Sequence, residues 1–365
     1  GRAPFLVAAS LSLVLAACAG GATPSPTTTA APSASPTPAG TPAAPSAVAM
    51  PAPTPSAPPA ISFPPPGTPE PCRPGDLRCA PYGALAERGI PYTPTIDCGG
   101  GTTCRLLLDL YHPAPGGGGS AGGDPSPVPP PGGWPIVVAI PGGPAAPGIR
   151  EGLGTFAARL AAQGAVVAIA DIRETPEYGG GYPATFGDVA CAIRTARELG
   201  VAYGGDPSSV TLVGHSLGGW ATSVVALSPR SWPVDGLSCS RSDGSPVPDR
   251  LVAVGAVTNL AQVGEGILIP FFGGTRDEEP AAWAAGDPVA VAGDAAARRI
   301  PVSIVLGEFD GVSTATTIAP FVDALTRRSR PPAVVVAPGA DHTTVLESAT
   351  LLEAILGRPP RLVGG

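Results

Sequence analysis

Short apolar segments alternate with helical patterns through the middle of the chain, and this alternation constrains the fold most. Continuous apolar runs, typical of strands buried on both faces of a sheet, occupy residues 136–140, 165–170 and 210–213. Apolar residues at helical spacing occupy 154–162, 184–199 and 218–226. This order predicts parallel βαβ units with right-handed crossovers. We therefore predict an α/β fold, with a mainly parallel sheet and helices on both faces.

The same pattern continues on either side of this region. A strand is predicted at 106–111, followed by a surface loop rich in Gly and Pro at 113–133. Later strands are predicted at 251–257, 302–306 and 334–337, with a helix at 318–327. All these segments fit a single domain at 72–365, which is long enough to bury a sizeable core.

The amino-terminal part of the chain has a different composition. Residues 19–71 are almost entirely Ala, Pro, Ser and Thr, which predicts a disordered tether because little apolar surface is available to bury. Residues 1–18 contain a short apolar run typical of a signal peptide. The run ends in Leu-Ala-Ala-Cys18, which resembles the bacterial lipobox. We expect export and a lipid anchor on Cys18, at the cell surface or the periplasmic face of a membrane. An ordinary secretory signal is the alternative.

Six further cysteines agree with export, because an even number in an exported chain indicates disulfides. Pairing each cysteine with its neighbour predicts the disulfides Cys72–Cys79, Cys98–Cys104 and Cys191–Cys239. A zinc site is the competing interpretation, but no C-x-x-C occurs and the chain has 3 His. We expect no metal and no cofactor.

The charge of the chain bears on its partners. The formal net charge is -7, and the 21 basic residues are all arginines scattered along the sequence. Nucleic-acid binding requires a basic face, so no nucleic-acid partner is expected. The expected partners are a small-molecule ester and a membrane reached through the anchor, and the protein is expected to be a monomer.

The segment Gly214-His215-Ser216-Leu217-Gly218 fits the motif G-x-S-x-G between a predicted strand and a predicted helix. In such a turn the serine hydroxyl is exposed at the end of the sheet, and the glycines allow close packing. This context predicts Ser216 as a nucleophile, against the alternative of a Gly-rich turn without chemistry.

A serine nucleophile needs a base, and His is the usual one. His215 lies inside the turn, where its side chain should point away from the Ser216 hydroxyl, and His112 precedes the parallel region. His342 follows Ser216 and the last predicted strand, as the order Ser, acid, His requires. We predict His342 as the base.

The acid that orients the base is expected in the loop after the strand at 302–306. That loop contains Glu308 and Asp310. Asp310 is the preferred candidate, Glu308 could serve instead, and a purely structural Asp310 is the third possibility.

Acyl transfer also needs hydrogen-bond donors for the oxyanion. The backbone N–H of Leu217 is one candidate, and the loop after the strand at 136–140 should supply the other through Gly142 or Gly143. Pro144 has no N–H to offer. A plain Gly-Pro turn is the alternative for this loop.

From residue 108 to about residue 347 the chain resembles the α/β-hydrolase superfamily. Within it, the chain is similar to the carboxylesterase and feruloyl-esterase-like branch related to prolyl oligopeptidase domains. The matching segments are Ile-Pro-Gly-Gly143, Ala-Asp-Ile-Arg173, Phe186-Gly-Asp-Val-Ala-Cys-Ala-Ile-Arg, Tyr203-Gly-Gly-Asp-Pro, Gly214-His-Ser-Leu-Gly-Gly and Phe272-Gly-Gly-Thr-Arg-Asp-Glu-Glu-Pro. The branch usually has His-Gly-Gly where this chain has Pro141-Gly142-Gly143, so the choice of oxyanion donor stays open.

Several aromatic residues could line a substrate pocket. We expect Trp220, Phe271, Phe272 and Trp283 to belong to the core, because large aromatic side chains are usually buried. Tyr178 and Tyr182 lie in a Gly-rich loop and could border the cleft or face solvent.

Together these residues predict a serine hydrolase that cleaves carboxylic esters. A serine peptidase of related fold is the alternative within the same chemistry. A cell-surface binding lipoprotein without activity is the alternative from another class, since a fold does not imply a function.

Overall fold

The computed structural model describes residues 80–115, 127–143, 149–232, 239–240 and 244–357. The predicted signal peptide, Cys18, the tether and the Cys72–Cys79 pair lie outside these residues. In the described part of the chain, no helix combines the length and the apolar character needed to cross a membrane.

Eight of the described strands form one sheet, in the order β1-β4-β6-β5-β7-β8-β9-β10. They are β1 (Gly83–Pro91), β4 (Leu107–Ala114), β5 (Trp134–Ile140), β6 (Val166–Ala170), β7 (Gly205–His215), β8 (Arg250–Val254), β9 (Val302–Gly307) and β10 (Ala333–Ala337). Strands from β6 to β10 in this order are parallel, whereas β4 and β1 are antiparallel additions. The predicted mainly parallel sheet is confirmed.

Helices cover both faces of the sheet, as predicted. They are α1 (Gly154–Ala162), α2 (Ala184–Val201), α3 (Ser216–Leu227), α4 (Glu265–Phe272), α5 (Pro280–Gly286), α6 (Pro288–Gly293), α7 (Ala315–Arg327) and α8 (Ala349–Leu356). Helices α1 and α8 pack on one face, and α2, α3 and α7 pack on the other. Burial of both faces explains why the central strands are continuous apolar runs.

Strand β5 shows how the sequence produces this arrangement. Val137 and Ala139 join the core under α1, while Ile136, Val138 and Ile140 join the core under α2 and α3. Each of these side chains is at most 1% exposed. Burying a Val or Ile side chain contributes about 1.5–3 kcal/mol, so both cores stabilise the strand that leads to the predicted oxyanion loop.

Two of the three predicted disulfides fall on described residues, and both are confirmed. Cys98–Cys104 closes the hairpin of β2 (Ile96–Asp97) and β3 (Thr103–Cys104). Cys191–Cys239 ties α2 to the segment after α3. Next to that bond, the amide of Ser240 donates to the carbonyl of Tyr92 at 3.0 Å, which fastens the segment after β1.

The two ends of the sheet carry different parts of the chain. The loops after β5, β7, β8 and β9 all leave from the carboxyl edge, because these strands are parallel. The chain enters the described domain at the opposite, amino edge, where the amide of Tyr82 donates to the carbonyl of Ala162 at 3.2 Å. Parallel α/β sheets place their ligand sites at the carboxyl edge.

Candidate active site

Ser216 occupies a tight turn at the carboxyl edge. Strand β7 ends at His215 and α3 begins at Ser216, with no residue between them. The backbone φ of Ser216 is 53°, a left-handed conformation that is unfavourable for a residue with a side chain. Close packing holds this turn: a methyl group at Gly218 would lie 2.5 Å from the carbonyl oxygen of Ile140.

His342 reaches Ser216 from the loop after β10. Its Nε2 lies 3.0 Å from Ser216 Oγ, which is a hydrogen-bonding distance. Its side chain is 24% exposed, so the imidazole lies at the mouth of the site. His112, another of the 3 His, instead packs against Tyr203, with the ring centroids 4.6 Å apart.

Asp310 lies on the other side of the imidazole, with both carboxylate oxygens 3.1 Å from His342 Nδ1. The amides of Val312 and Ser313 each donate to Asp310 Oδ1 at 2.8 Å. Burial alone would raise the pKa of Asp310, but the hydrogen bonds from His342 and these amides outweigh it and lower that pKa. Asp310 is therefore held as the carboxylate.

Glu308, the alternative acid, faces elsewhere. Its Oε2 accepts a hydrogen bond from the amide of Gly339 at 2.7 Å, in the loop that carries His342. Of the two candidates, Asp310 is the one in contact with the imidazole. When Nδ1–H donates to the carboxylate, the neutral imidazole has no proton on Nε2. Nε2 can then accept a hydrogen bond from the serine hydroxyl.

The segment after β8 packs against Asp310 and His342 and bonds to the backbone of Ser216, a role that was not predicted. Gly255 has φ 49°, and a methyl group there would lie 2.9 Å from Asp310 Oδ2 and 3.1 Å from His342 Nδ1. The amide of Val257 donates to the carbonyl of Ser216 at 3.1 Å. The hydroxyl of Ser313 donates to the carbonyl of Ala256 at 3.1 Å. The signal in the sequence was a glycine at position 255, inside the strand predicted at 251–257, because an interior glycine often marks a bend.

His215 has a positioning contact of its own. Its Nε2 lies 2.8 Å from the carbonyl oxygen of His342, so its side chain supports the backbone of the predicted base. Burial lowers the pKa of His215, which favours the neutral ring. A neutral imidazole must donate from Nε2 to that carbonyl, since an oxygen can only accept.

The predicted oxyanion loop packs directly on the serine turn. A methyl group at Gly142 would lie 2.5 Å from the carbonyl oxygen of His215 and would collide with Ser216 Cβ. Leu217 lies in the first turn of α3, where backbone N–H groups have no partner within the helix. Gly143 has φ 98° and its Cα faces the side chain of Ile149. Pro144 lies outside the described residues.

A buried ion cluster fixes the chain just beyond this loop. Arg150 is 8% exposed, and its Nε lies 3.1 Å from Asp109 Oδ1 on β4. Its Nη1 pairs with Asp171 at the end of β6. Burial alone would lower the pKa of Arg150, but hydrogen bonds and the charges of Asp109 and Asp171 raise it. Since Arg150 follows Ile149, the cluster anchors the described chain that follows the predicted oxyanion loop.

A second buried ion pair holds the loop after β6. Arg173 and Asp188 form a two-point contact, with Nη2–Oδ1 at 2.8 Å and Nε–Oδ2 at 2.9 Å. Both residues belong to segments that carry the family resemblance. Their contact fastens this loop to α2, so these segments serve to shape the carboxyl edge.

The aromatic residues form a core cluster beside α3. Trp220, Phe271, Phe272 and Trp283 are each at most 6% exposed, as expected. The Trp220 indole donates to the carbonyl of Gly286 at 2.7 Å. The ring of Tyr182 lies 6.4 Å from that of Phe272, so Tyr182 joins this cluster. Tyr178 lies in the 3-10 turn Pro176–Tyr178 and is partly exposed.

Similar architecture occurs in solved esterase structures. Esterase B from Lactobacillus rhamnosis, inhibited by a tributyrin phosphonate, has a TM-score of 0.56 at 16% identity, covering 75% of this chain and 87% of that chain. Native Est2 from Thermogutta terrifontis has a TM-score of 0.52 at 20% identity, covering 75% and 96%. The chain has the α/β-hydrolase fold. A truncated carbohydrate esterase from gut microbiota shares this fold, with a TM-score of 0.51 at 16% identity and coverage of 76% and 95%.

The likeness lies in the fold, because these identities are low. No protein-family model matches the sequence, and no curated protein matches it. Among the residues described, no group of three or more His, Cys, Asp or Glu side chains is arranged to hold a metal ion. Assignment of a reaction therefore depends on the chemistry of the hydrolase-fold site itself.

Proposed function

We propose that this chain is a serine esterase that cleaves carboxylic esters through an acyl-enzyme. The observation that carries the proposal is the hydrogen-bonded series at the carboxyl edge. Ser216 Oγ lies 3.0 Å from His342 Nε2, and His342 Nδ1 lies 3.1 Å from Asp310. A base within reach of the nucleophile and oriented by a carboxylate is the arrangement that nucleophilic acyl transfer requires.

In the first step, His342 Nε2 takes the proton of Ser216 as Oγ bonds to the carbonyl carbon of the ester. The carbonyl electron pair moves to its oxygen, which becomes an oxyanion. Asp310 stabilises the imidazolium and keeps its ring oriented. When the tetrahedral intermediate collapses, the bond to the alcohol oxygen breaks and His342 gives its proton to the departing alcohol.

The oxyanion needs donors at the carboxyl edge. The Leu217 N–H and an N–H from Gly142 or Gly143 are the proposed donors, because the loop that carries these glycines packs on the serine turn. Each such donor is worth about 3–4 kcal/mol in the transition state. The positive end of the α3 dipole acts on the same oxygen.

Hydrolysis of the acyl-enzyme repeats these steps, with water as the nucleophile and Ser216 as the leaving group. His342 takes a proton from water as the water oxygen bonds to the acyl carbon. Collapse of the second intermediate breaks the bond to Ser216 Oγ, returns the proton to it and releases the carboxylic acid. No group outside the described site is needed for this cycle.

Apolar side chains flank the orienting acid. Phe309 is 68% exposed and Val312 is 43% exposed, one on each side of Asp310 in sequence. An acyl or alcohol group that covers them would gain about 25 cal/mol for each Å² of apolar surface removed from water. This supports an ester with an apolar portion. A peptide substrate remains the second candidate because the same series of groups cleaves amides.

The deciding experiment uses the full chain with a fluorophosphonate probe, alongside aryl esters and the matching anilides. We expect labelling at Ser216, located by peptide mass spectrometry, and turnover of esters in preference to anilides. Ser216→Ala should abolish labelling and turnover, while Ser208→Ala, the same exchange on the exposed part of β7, should change neither. A folded but unlabelled wild type would favour the binding-protein alternative, and preferred anilide turnover would favour a peptidase.

We also propose that the protein is exported and anchored at Cys18. The disulfides Cys98–Cys104 and Cys191–Cys239 support export, because such bonds persist in oxidising compartments. Cells supplied with a clickable fatty acid should label the wild type and leave Cys18→Ser unlabelled. Equal labelling of both proteins would contradict the anchor.

A further inference from the structure

A polar pocket lies at the amino edge of the sheet, away from Ser216. The segment before β9 and the turn between α7 and β10 border an open depression with a volume of about 250 Å³. Arg299, Arg327, Arg328, Ser329 and Arg330 line it together with two alanines, and no acidic residue takes part. Folding thus places Arg299 beside the local cluster of Arg327, Arg328 and Arg330, in a chain whose net charge is -7.

Two of these guanidinium groups bond to neutral oxygens. Arg330 donates to the carbonyls of Ala292 at 3.1 Å and of Arg298 at 2.6 Å. Arg328 donates from Nε to the carbonyl of Gly293 at 2.7 Å. Carbonyl contacts fix the direction of a guanidinium without neutralising its charge. The pocket therefore contains positioned positive charge.

The other two guanidinium groups do not bond to carbonyl oxygens of the described chain. Within the described residues, the guanidinium groups of Arg299 and Arg327 form no side-chain hydrogen bond and no ion pair. Burial, followed by the charges of Arg299 and Arg328, lowers the pKa of Arg330. The arginines thus repel one another, and an anion among them would relieve that repulsion.

We propose that this pocket binds a phosphate group. Guanidinium groups bond to phosphate oxygens in pairs through parallel N–H donors, and four of them on one concavity suit an anion with several oxygens around one centre. The hydroxyl of Ser329 adds a neutral donor beside them. The phosphate comes either from a soluble phosphate compound or from an anionic phospholipid headgroup.

Two measurements distinguish these sources, both with the full chain. Calorimetric titration with inorganic phosphate, at constant ionic strength, tests the soluble source. Co-sedimentation with phosphatidylglycerol vesicles, against phosphatidylcholine vesicles, tests the headgroup. The vesicle arm uses the Cys18→Ser background, so that acylation cannot cause the attachment. Saturable binding in either arm supports the site and identifies its source, and absence of binding in both arms overturns it.

The pocket itself is tested by the double variant Arg299→Gln/Arg327→Gln. It removes the two charges that have no hydrogen-bonded partner in the described chain and keeps the carbonyl contacts of the other two arginines. We expect binding to weaken at least about tenfold, since one charge-assisted hydrogen bond is worth about that much. The control is Arg88→Gln/Arg276→Gln, which removes two charges at exposed positions elsewhere and should alter binding less than about twofold. Equal weakening by both pairs would overturn the site in favour of general charge attraction. Ester turnover should stay unchanged in both double variants. A failure of the phosphate-site proposal is therefore distinguishable from a failure of the proposed esterase.

Discussion

The two ends of one sheet each hold a serine in a left-handed conformation, yet they are built in opposite ways. Ser216 at the carboxyl edge has φ 53° and Ser329 at the amino edge has φ 55°, and they are the two non-glycine residues with positive φ in the described chain. Backbone atoms crowd around Ser216, where glycines replace side chains. Long arginine side chains surround Ser329. The carboxyl edge requires glycines, because side chains there would collide. The amino edge is instead formed by long arginine side chains.

The charged side chains near the two serines differ in their contacts as well. At the carboxyl edge, Arg150 contacts Asp109 and Asp171, and Asp310 contacts His342. At the amino edge, the described contacts of Arg328 and Arg330 are with carbonyl oxygens. We therefore expect substitutions at the carboxyl edge to change the rate of ester cleavage. Substitutions at the amino edge should change stability and anion binding and leave that rate alone.

The largest expected effect comes from Asp310→Asn. The amide cannot hold the required tautomer of His342 or stabilise its imidazolium, so kcat/KM for an aryl ester should fall about 1,000- to 10,000-fold. Steady-state kinetics at neutral pH measures this. Glu308→Gln is the control, since its contact is with Gly339, and it should stay within about twofold of the wild type. A greater loss in Glu308→Gln than in Asp310→Asn would reverse the choice of acid.

Gly142→Ala should have the next largest effect. The added methyl group would push the loop away from Ser216 and His215, so we expect kcat to fall about 100- to 1,000-fold, as for the loss of one oxyanion donor. The control is Gly152→Ala, because nothing lies within 4 Å of a methyl group there. If Gly142→Ala retained full kcat, the loop would not take part in oxyanion binding.

At the amino edge, Arg330→Ala should lower stability without lowering activity. It removes hydrogen bonds from a charged group to the carbonyls of Ala292, Ala297 and Arg298, which should cost about 2 kcal/mol in the free energy of unfolding. Denaturant titration and aryl-ester kinetics measure the two quantities. Arg327→Ala, without such bonds, should change stability by less than about 0.5 kcal/mol. A large loss of kcat in Arg330→Ala would break the division between the edges.

The smallest effect concerns the acid dependence of stability. Burial lowers the pKa of His215, so below pH about 6.5 the unfolded chain binds a proton that the folded chain resists. Folding stability should therefore be retained above that pH and fall below it, by at most about 1.4 kcal/mol per pH unit from this group. His215→Gln, which keeps a donor near the carbonyl of His342, should fall less steeply between pH 6.5 and 5. Identical slopes in both proteins would contradict this role.

The sequence predicts the buried strands well and the short peripheral elements poorly. Strand β5 is apolar on both faces, so its pattern is unambiguous. Strand β1 includes Glu87 and Arg88 and is half exposed, so it has no clear periodicity and was not predicted. Helices α5 and α6 each begin at a proline and contain at most 7 residues, too few for a helical pattern to show.

Several predicted boundaries shift, and two of these shifts have clear local causes. Strand β8 was predicted to reach residue 257 but ends at Val254, because Gly255 turns the chain with φ 49° under Asp310 and His342. The helix predicted from residue 318 begins at Ala315, since the Thr314 side chain accepts a hydrogen bond from the amide of Thr317. Both signals are visible in the sequence once the neighbouring strand is placed.

Some residues of the candidate site could be predicted from the sequence, and others could not. Ser216 and His342 could be selected from chain order and motif context, and the structure brings them together with Asp310. Arg150 could not be foreseen, because its partners lie on β4 and after β6, distant in sequence. The support that His215 gives to His342 likewise depends on two loops that meet only in the folded chain.

The point where the chain enters the domain has a practical consequence. Tyr82 lies at the amino edge, bonded to the carbonyl of Ala162, while the Ser216 turn opens from the carboxyl edge. A resin, electrode or display scaffold coupled ahead of Tyr82 would thus hold the domain from behind. Immobilised in this way, the domain would have its attachment point at the edge opposite Ser216, the nucleophile of the proposed esterase.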